Sequence, residues 1–359
     1  GLKWESLQLN LPVAPITDLK VNQGDLIVAT SGRAFWILDD LALLSQFKSA
    51  EKGLKIFAPE DTYYASWYSE LNQNDNSFKG THPFEGVNPA NGMVLYYELP
   101  KMADSMDLRL EIMDVNGKMI RQFSSVKDTT FKKWDGGPSA EPVLAKKAGL
   151  NRFVWDLNHQ TKMGVSNVYF ETNFSGHRAA PGSYKVRLNY GSQTVETTGK
   201  IINTPGVEIS DAQHKEYDDF MSETENELMA MHQTINSLYN VQSQLKSVMG
   251  TLQDERLLKE GKLLMEKLDQ WDKEMVQRKS KAYDDVENFP NKFTAEYMFL
   301  IDQTNSAIPR VNNSSKERRE ELEKQWAGLK QRAGTLIKQS IPDYNQELWE
   351  AGIGALRID

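Results

Sequence analysis

The residues able to do chemistry are a few histidines and the carboxylates spaced near them. Asp156 and His159 form an Asp-x-x-His pair. A carboxylate at that spacing orients a base or shares a metal, yet no third ligand is evident in the sequence, and Asp156 serves equally to cap the following turn. His82 with Glu85 makes a second pair, and two residues do not make a site. Asp135 lies beside Gly136-Gly137, a loop that suits calcium, but calcium takes six to eight oxygens and the local sequence offers too few acids. Di-metal helical proteins need Glu-x-x-His on inward faces. Asp211 stands three positions before His214, and Met229 three before His232, so that pattern is absent. Cysteine is absent too, which excludes disulfides, thiolate metal sites and cysteine nucleophiles. The sequence therefore leads to an expectation of no catalytic residues, no metal and no cofactor.

Aromatic residues concentrate between positions 60 and 92: Tyr63, Tyr64, Trp67, Tyr68, Phe78 and Phe84, with His82 among them. Rings beside polar groups suit a glycan or a protein partner, and Tyr64, Trp67, Tyr68, His82 and Phe84 are the candidate contacts. The same rings also suit a long loop pinned onto a domain seam.

The elements that must position these residues are legible from periodicity. The stretch 149–157 places Phe153, Trp155 and Leu157 on one face of a strand, and 184–190 alternates Tyr184, Val186, Leu188 and Tyr190 with Lys185, Arg187 and Asn189. Further strands are expected at 93–99, around Leu108, Leu110 and Ile112, at 119–123 after an Asn116-Gly117 turn, and at 194–202 after Gly191-Ser192. Before them, Trp4 to Leu11, Ile16 to Val21, Leu26 to Thr30 and Ala34 to Leu38 read as three or four strands of one meander. A helical turn is expected at 41–47, capped by Asp39 or Asp40, and an edge strand at 55–59. Arg33 reads as a turn residue pairing with Asp39 or Asp40, or as a ligand contact. After position 207, Ser210 and Gln213 form a capping box. Apolar stripes then run through Leu228 to Val248, Leu257 to Met275, Phe293 to Ile308 and Leu322 to Ile337. The tail, from Ile341 through Trp349 and Ile353, reads as a short helix or strap packed on the bundle.

The expected fold is multidomain α+β. A propeller-blade-like β segment (1–58) leads through an aromatic-rich connecting loop (59–90) to an Ig-like antiparallel β-sandwich (91–206). A four-helix bundle (207–340) and a C-terminal strap (341–359) follow. The 359 residues carry a formal charge of −8, which argues against nucleic acid. No apolar run approaches the ~18 residues of a membrane span. Residues 1–15 lack a signal peptide, and Gly1-Leu2-Lys3-Trp4 begins as if cut from a longer protein.

Gly1-Leu2-Lys3-Trp4 resembles the tail of an Asp-box turn. Gly24-Asp25-Leu26-Ile27-Val28-Ala29-Thr30 and Gly32-Arg33-Ala34-Phe35-Trp36-Ile37-Leu38-Asp39-Asp40 resemble the end of the propeller in exported bacterial BNR-repeat proteins, which are sortilin-like and often labelled glycosyl hydrolases. The segments Leu110 to Lys118, Gly149 to Asp156 and Ala180 to Leu188 resemble the Ig-like domain of flagellar hook-capping proteins. The resemblance implies an extracytoplasmic location and an upstream propeller of the same protein as partner. One blade remnant cannot supply the arginine cluster, tyrosine and acid of a sialidase. The expected function is thus a non-catalytic structural or interaction region that stabilises the propeller, with a protein or glycan partner. The alternative is an accessory carbohydrate-binding region of a glycoside hydrolase-like protein.

Overall fold

A computed structural model describes residues 4, 6–47, 53–65, 90–101, 106–305 and 308–358. The architecture is mixed α+β and multidomain, with three β-sheets among the described residues and a C-terminal helical region. The chain divides into two compact units. One comprises Gly1–Lys127, Pro142–Leu157 and Pro181–Gly206, and the other Asp128–Glu141, Asn158–Ala180 and Val207–Asp359.

The first unit begins with the antiparallel sheet β1 (Ile16–Asn22), β2 (Asp25–Thr30) and β3 (Phe35–Leu38). The strand expected over Trp4 to Leu11 does not form. Gln8 and Leu11 close a turn instead, and Leu9 takes a left-handed φ of 48° that no strand tolerates. The helical turn α1 (Leu41–Gln46) follows as expected, but Asp40 does not cap it with its side chain. The Asp40 carboxylate accepts instead from the Tyr96 hydroxyl at 2.7 Å.

Two further sheets complete this unit. Strands β4 (Lys55–Ile56), β6 (Met93–Leu99) and β9 (Gly149–Trp155) form one, in the order β4-β6-β9. Strands β5 (Thr62–Tyr63), β7 (Leu108–Met113), β8 (Met119–Ser124), β10 (Gly182–Tyr190) and β11 (Gln193–Ile202) form the other, in the order β5-β11-β10-β7-β8. Among the named strands of the described residues, only β5 with β11 pairs in parallel. The turns are those the sequence predicts. Gly117 (φ 88°) closes the β7–β8 hairpin, where Asp114 Oδ1 accepts from the Asn116 and Lys118 amides. Alternation along β10 buries Tyr184, Val186, Leu188 and Tyr190. Tyr184 of β10 meets the other sheet, where Trp155 lies edge-on to it at 5.5 Å, and Phe123 of β8 lies edge-on to Phe153 at 4.6 Å. Trp155 is fully buried, as its place in the strand pattern requires.

The second unit is helical: α2 (Asp211–Met249), α3 (Glu255–Met275), α4 (Phe293–Thr304), α5 (Asn313–Thr335) and α6 (Ile341–Glu350). The Ser210–Gln213 capping box starts α2, and its stripe from Leu228 through Leu245 is buried. Asn312 caps α5, its side chain accepting from the Ser315 amide at 2.8 Å. Trp271 donates its indole N–H to the Leu329 carbonyl at 2.9 Å, and Phe293 stacks on Trp326. Two expectations fail. Ile308 falls beyond the end of α4 and is 45 % exposed, and Trp349 sits on the outer face of α6 at 77 % exposure while Ile341, Tyr344 and Leu348 face inward. The tail is a helix that continues from α5 through the π-helical turn Leu336–Ser340. No helix among the described residues is long and apolar enough to cross a membrane.

Candidate metal centre and interaction surface

Residues 158–180 cross the helical unit as two antiparallel arms. Asn158 bridges Arg178, the His159 amide donates to the His177 carbonyl at 2.8 Å, and the Lys162 amide to the Phe174 carbonyl at 2.7 Å. Gly176 allows the close approach, because a Cβ there would lie 2.6 Å from the Gln160 carbonyl oxygen. The register sets the rings of His159 and His177 face to face, centroids 3.8 Å apart and planes 27° apart.

Helix α2 meets these arms with a polar stripe. Asp218, Glu225 and His232 recur every seven residues, so they share one face, beside the apolar positions Tyr217, Met221, Leu228 and Ile235. Asp218 Oδ1 lies 3.2 Å from His177 Nε2 and 3.4 Å from His159 Nε2. Glu225 Oε2 lies 2.8 Å from His177 Nδ1, and Glu225 Oε1 accepts from the His177 amide at 2.8 Å. Lys162 Nζ stands 3.5 Å from Glu225 Oε1 and donates to the Ser175 carbonyl. Farther along, His232 Nδ1 meets the Met163 carbonyl at 2.6 Å, and Asn236 clasps Gly164 and Ser166.

The electrostatics follow from this packing. Burial disfavours a charged His177, but the hydrogen bonds of Asp218 and Glu225 outweigh it and raise its pKa. Burial dominates at His159 and lowers its pKa despite Asp218. Burial also opposes charge on Asp218, yet its contacts with His159 and His177 hold it far below the usual carboxylate range. Glu225 is likewise held low, against its own burial, by His177 and then Lys162. Burial pushes His232 down to about 4.

The donor atoms of His159, His177 and Asp218 all lie within 4.8 Å of one another, the sole such cluster of three among the described residues. Two imidazole nitrogens and one carboxylate oxygen are a donor set for a borderline divalent ion, or for a shared proton.

The other sequence candidates fall elsewhere. Asp156 pairs with the buried Arg121 at 3.2 Å. Asp135 is not part of the cluster. His214 is buried, with neither ring nitrogen hydrogen-bonded. Tyr64 is 1 % exposed, its amide bonded to the Ile202 carbonyl at 2.7 Å, so it offers no ring face to a glycan. Trp67, Tyr68, His82 and Phe84 lie outside the described residues. His177 and Asp218 escape sequence reasoning because they stand 18 and 59 positions from His159. The heptad of polar residues on α2 is the signal that points to Asp218.

The sheet β1–β3 presents a different surface. Leu19 pairs with Val28 and Val21 with Leu26 on one face, and Ile27 pairs with Ile37 and Ala29 with Phe35 on the other. Leu19 is 59 % exposed, Val21 63 %, Phe35 76 % and Ile37 61 %, so apolar side chains face solvent on both sides.

Comparison of the chain with protein-family models, curated proteins and solved structures finds no match in any of the three.

Proposed function

We propose that the chain is a non-catalytic structural or interaction region of an exported multidomain protein, and that β1–β3 is blade material that docks on an upstream propeller. The observation that carries this reading is the exposure of Leu19 and Val21 on one face of the sheet and of Phe35 and Ile37 on the other. A three-stranded sheet is marginal without cover. Each of these side chains, once buried, contributes about 1.5–3 kcal/mol. Four of them together outweigh a modest association cost. In this reading the other two sheets of the first unit serve as an Ig-like sandwich, supported by the Trp155–Tyr184 and Phe123–Phe153 contacts between them. Helices α2 to α5 serve as a four-helix bundle extended by α6. The location outside the cytoplasm follows from the propeller resemblance.

The test is size-exclusion and calorimetric binding between this chain and the separately expressed upstream region of the same gene product. The reading predicts a complex that is lost with Phe35→Asp and Leu19→Asp while melting is unchanged. No complex, or a complex indifferent to both substitutions, contradicts it.

A further inference from the structure

We propose that His159, His177 and Asp218 bind a zinc-class divalent ion that fastens residues 158–180 to α2, with Glu225 orienting His177 from behind. The proposal is independent of the docking reading, because all of its residues belong to the helical unit.

Four observations carry it. The first is distance. Asp218 Oδ1 stands 3.2 and 3.4 Å from the two Nε2 atoms. Charge-assisted hydrogen bonds close to about 2.7–2.9 Å. Ligand atoms held 2.0–2.1 Å from a tetrahedral zinc lie about 3.3 Å from one another. The second is the tautomer. Glu225 Oε2, at 2.8 Å, accepts the proton of His177 Nδ1, which leaves the Nε2 lone pair facing Asp218. Two acceptors face each other there unless a second proton on the ring or a metal ion lies between. A carboxylate behind a ligating imidazole is also the usual outer-shell support of a bound metal.

The third observation is charge. Asp218 and Glu225 bring two negative charges and Lys162 one positive, so the cluster is a net anion when both imidazoles are neutral. The fourth is the ring stack. Faces 3.8 Å apart disfavour two imidazolium ions, so protons satisfy both Nε2 atoms only with a charged His177 stacked on a neutral His159 that carries its proton on Nε2. A divalent ion satisfies both with neutral rings. The imidazole donors disfavour calcium and magnesium, which take oxygen ligands. His159 and His177 are buried, whereas the Asp218 side chain is 28 % exposed, which leaves the remaining coordination position to water.

The test uses the full chain stripped with a chelator, titrated with zinc chloride by calorimetry and with cobalt(II) by visible absorption. One ion per chain and a tetrahedral cobalt spectrum are expected, with a higher melting temperature on zinc addition. Asp218→Asn and His159→Gln abolish binding, Glu225→Gln weakens it about 10–100-fold, and Asp135→Asn leaves it unchanged. Asp218→Asn is isosteric and partly exposed, and its circular dichroism melt establishes that it folds. No stoichiometric binding, or wild-type affinity in both Asp218→Asn and His159→Gln, overturns the site. Stoichiometric binding with no rise in melting temperature overturns the fastening role.

Discussion

His159 and His177 stack at 3.8 Å and direct both Nε2 atoms toward one oxygen of Asp218. Their backbones are joined by the His159 amide and the His177 carbonyl, so the two arms of residues 158–180 carry the pair as a unit. Helix α2 supplies the carboxylates. This part of the fold is held to α2 by these charges and hydrogen bonds and by Val165, Val168, Phe170 and Phe174, which join the apolar core of the helices.

Glu225 and Lys162 are a buried ion pair, with side chains 6 % and 2 % exposed. Removing one partner strands the other charge in a dry site. Glu225→Gln is expected to lower stability by about 3–5 kcal/mol in urea denaturation. The double variant Glu225→Gln with Lys162→Met is expected to recover much of that. A loss below ~1 kcal/mol in the single variant contradicts the pairing.

Gly176 is expected to tolerate no side chain. Gly176→Ala sets a Cβ 2.6 Å from the Gln160 carbonyl and parts the arms, at a cost of about 1–3 kcal/mol. The same variant weakens zinc binding, since it displaces His177. Wild-type stability and affinity in Gly176→Ala contradict the placement of the arms.

His232 gives a pH dependence of known sign. Burial first, then the Lys162 charge, lower its pKa, against the Met163 carbonyl, to about 4. Its ring stacks on Phe170 as well. The unfolded chain binds a proton near pH 6.5 that the folded chain refuses until about pH 4. The group therefore leaves stability intact above pH 6.5 and erodes it as pH falls through that window, by about 3 kcal/mol in all. His232→Asn removes this slope from a series of urea denaturations between pH 7 and 4. An unchanged slope in the variant contradicts the assignment.

Surface and core of β1–β3 separate cleanly. Phe35→Asp is expected to change stability by less than ~0.5 kcal/mol, because the ring already faces solvent. Val28→Asp, at a residue 4 % exposed, is expected to unfold the sheet. Equal effects of the two contradict the exposure described.

Much of the scaffold was legible because burial imposes a period. The alternation at 184–190 and the stripe from Leu228 to Leu245 name their own core faces, and both are buried. Asn116-Gly117 and Gly191-Ser192 name their own turns, since positive φ selects such residues. Leu7, Leu9 and Leu11 mislead, because a turn at Gln8 breaks their alternation and only backbone geometry reveals it. The histidine cluster was half legible. Asp-x-x-His drew attention to His159 but supplied the wrong carboxylate: Asp156 turns to Arg121, and the partner is Asp218. Sites built across a loop and a helix follow tertiary register, which no local spacing encodes.

The most direct measurement is imidazole nitrogen NMR of the chelator-stripped chain before and after one equivalent of zinc. Five histidines keep the spectrum assignable by single substitutions. A metal centre predicts that the Nε2 resonances of His159 and His177 move to metal-bound positions, while His177 Nδ1 keeps its proton toward Glu225. If His177 stays protonated on both nitrogens and neither Nε2 moves, the cluster is an imidazolium clamp and the metal centre is refuted.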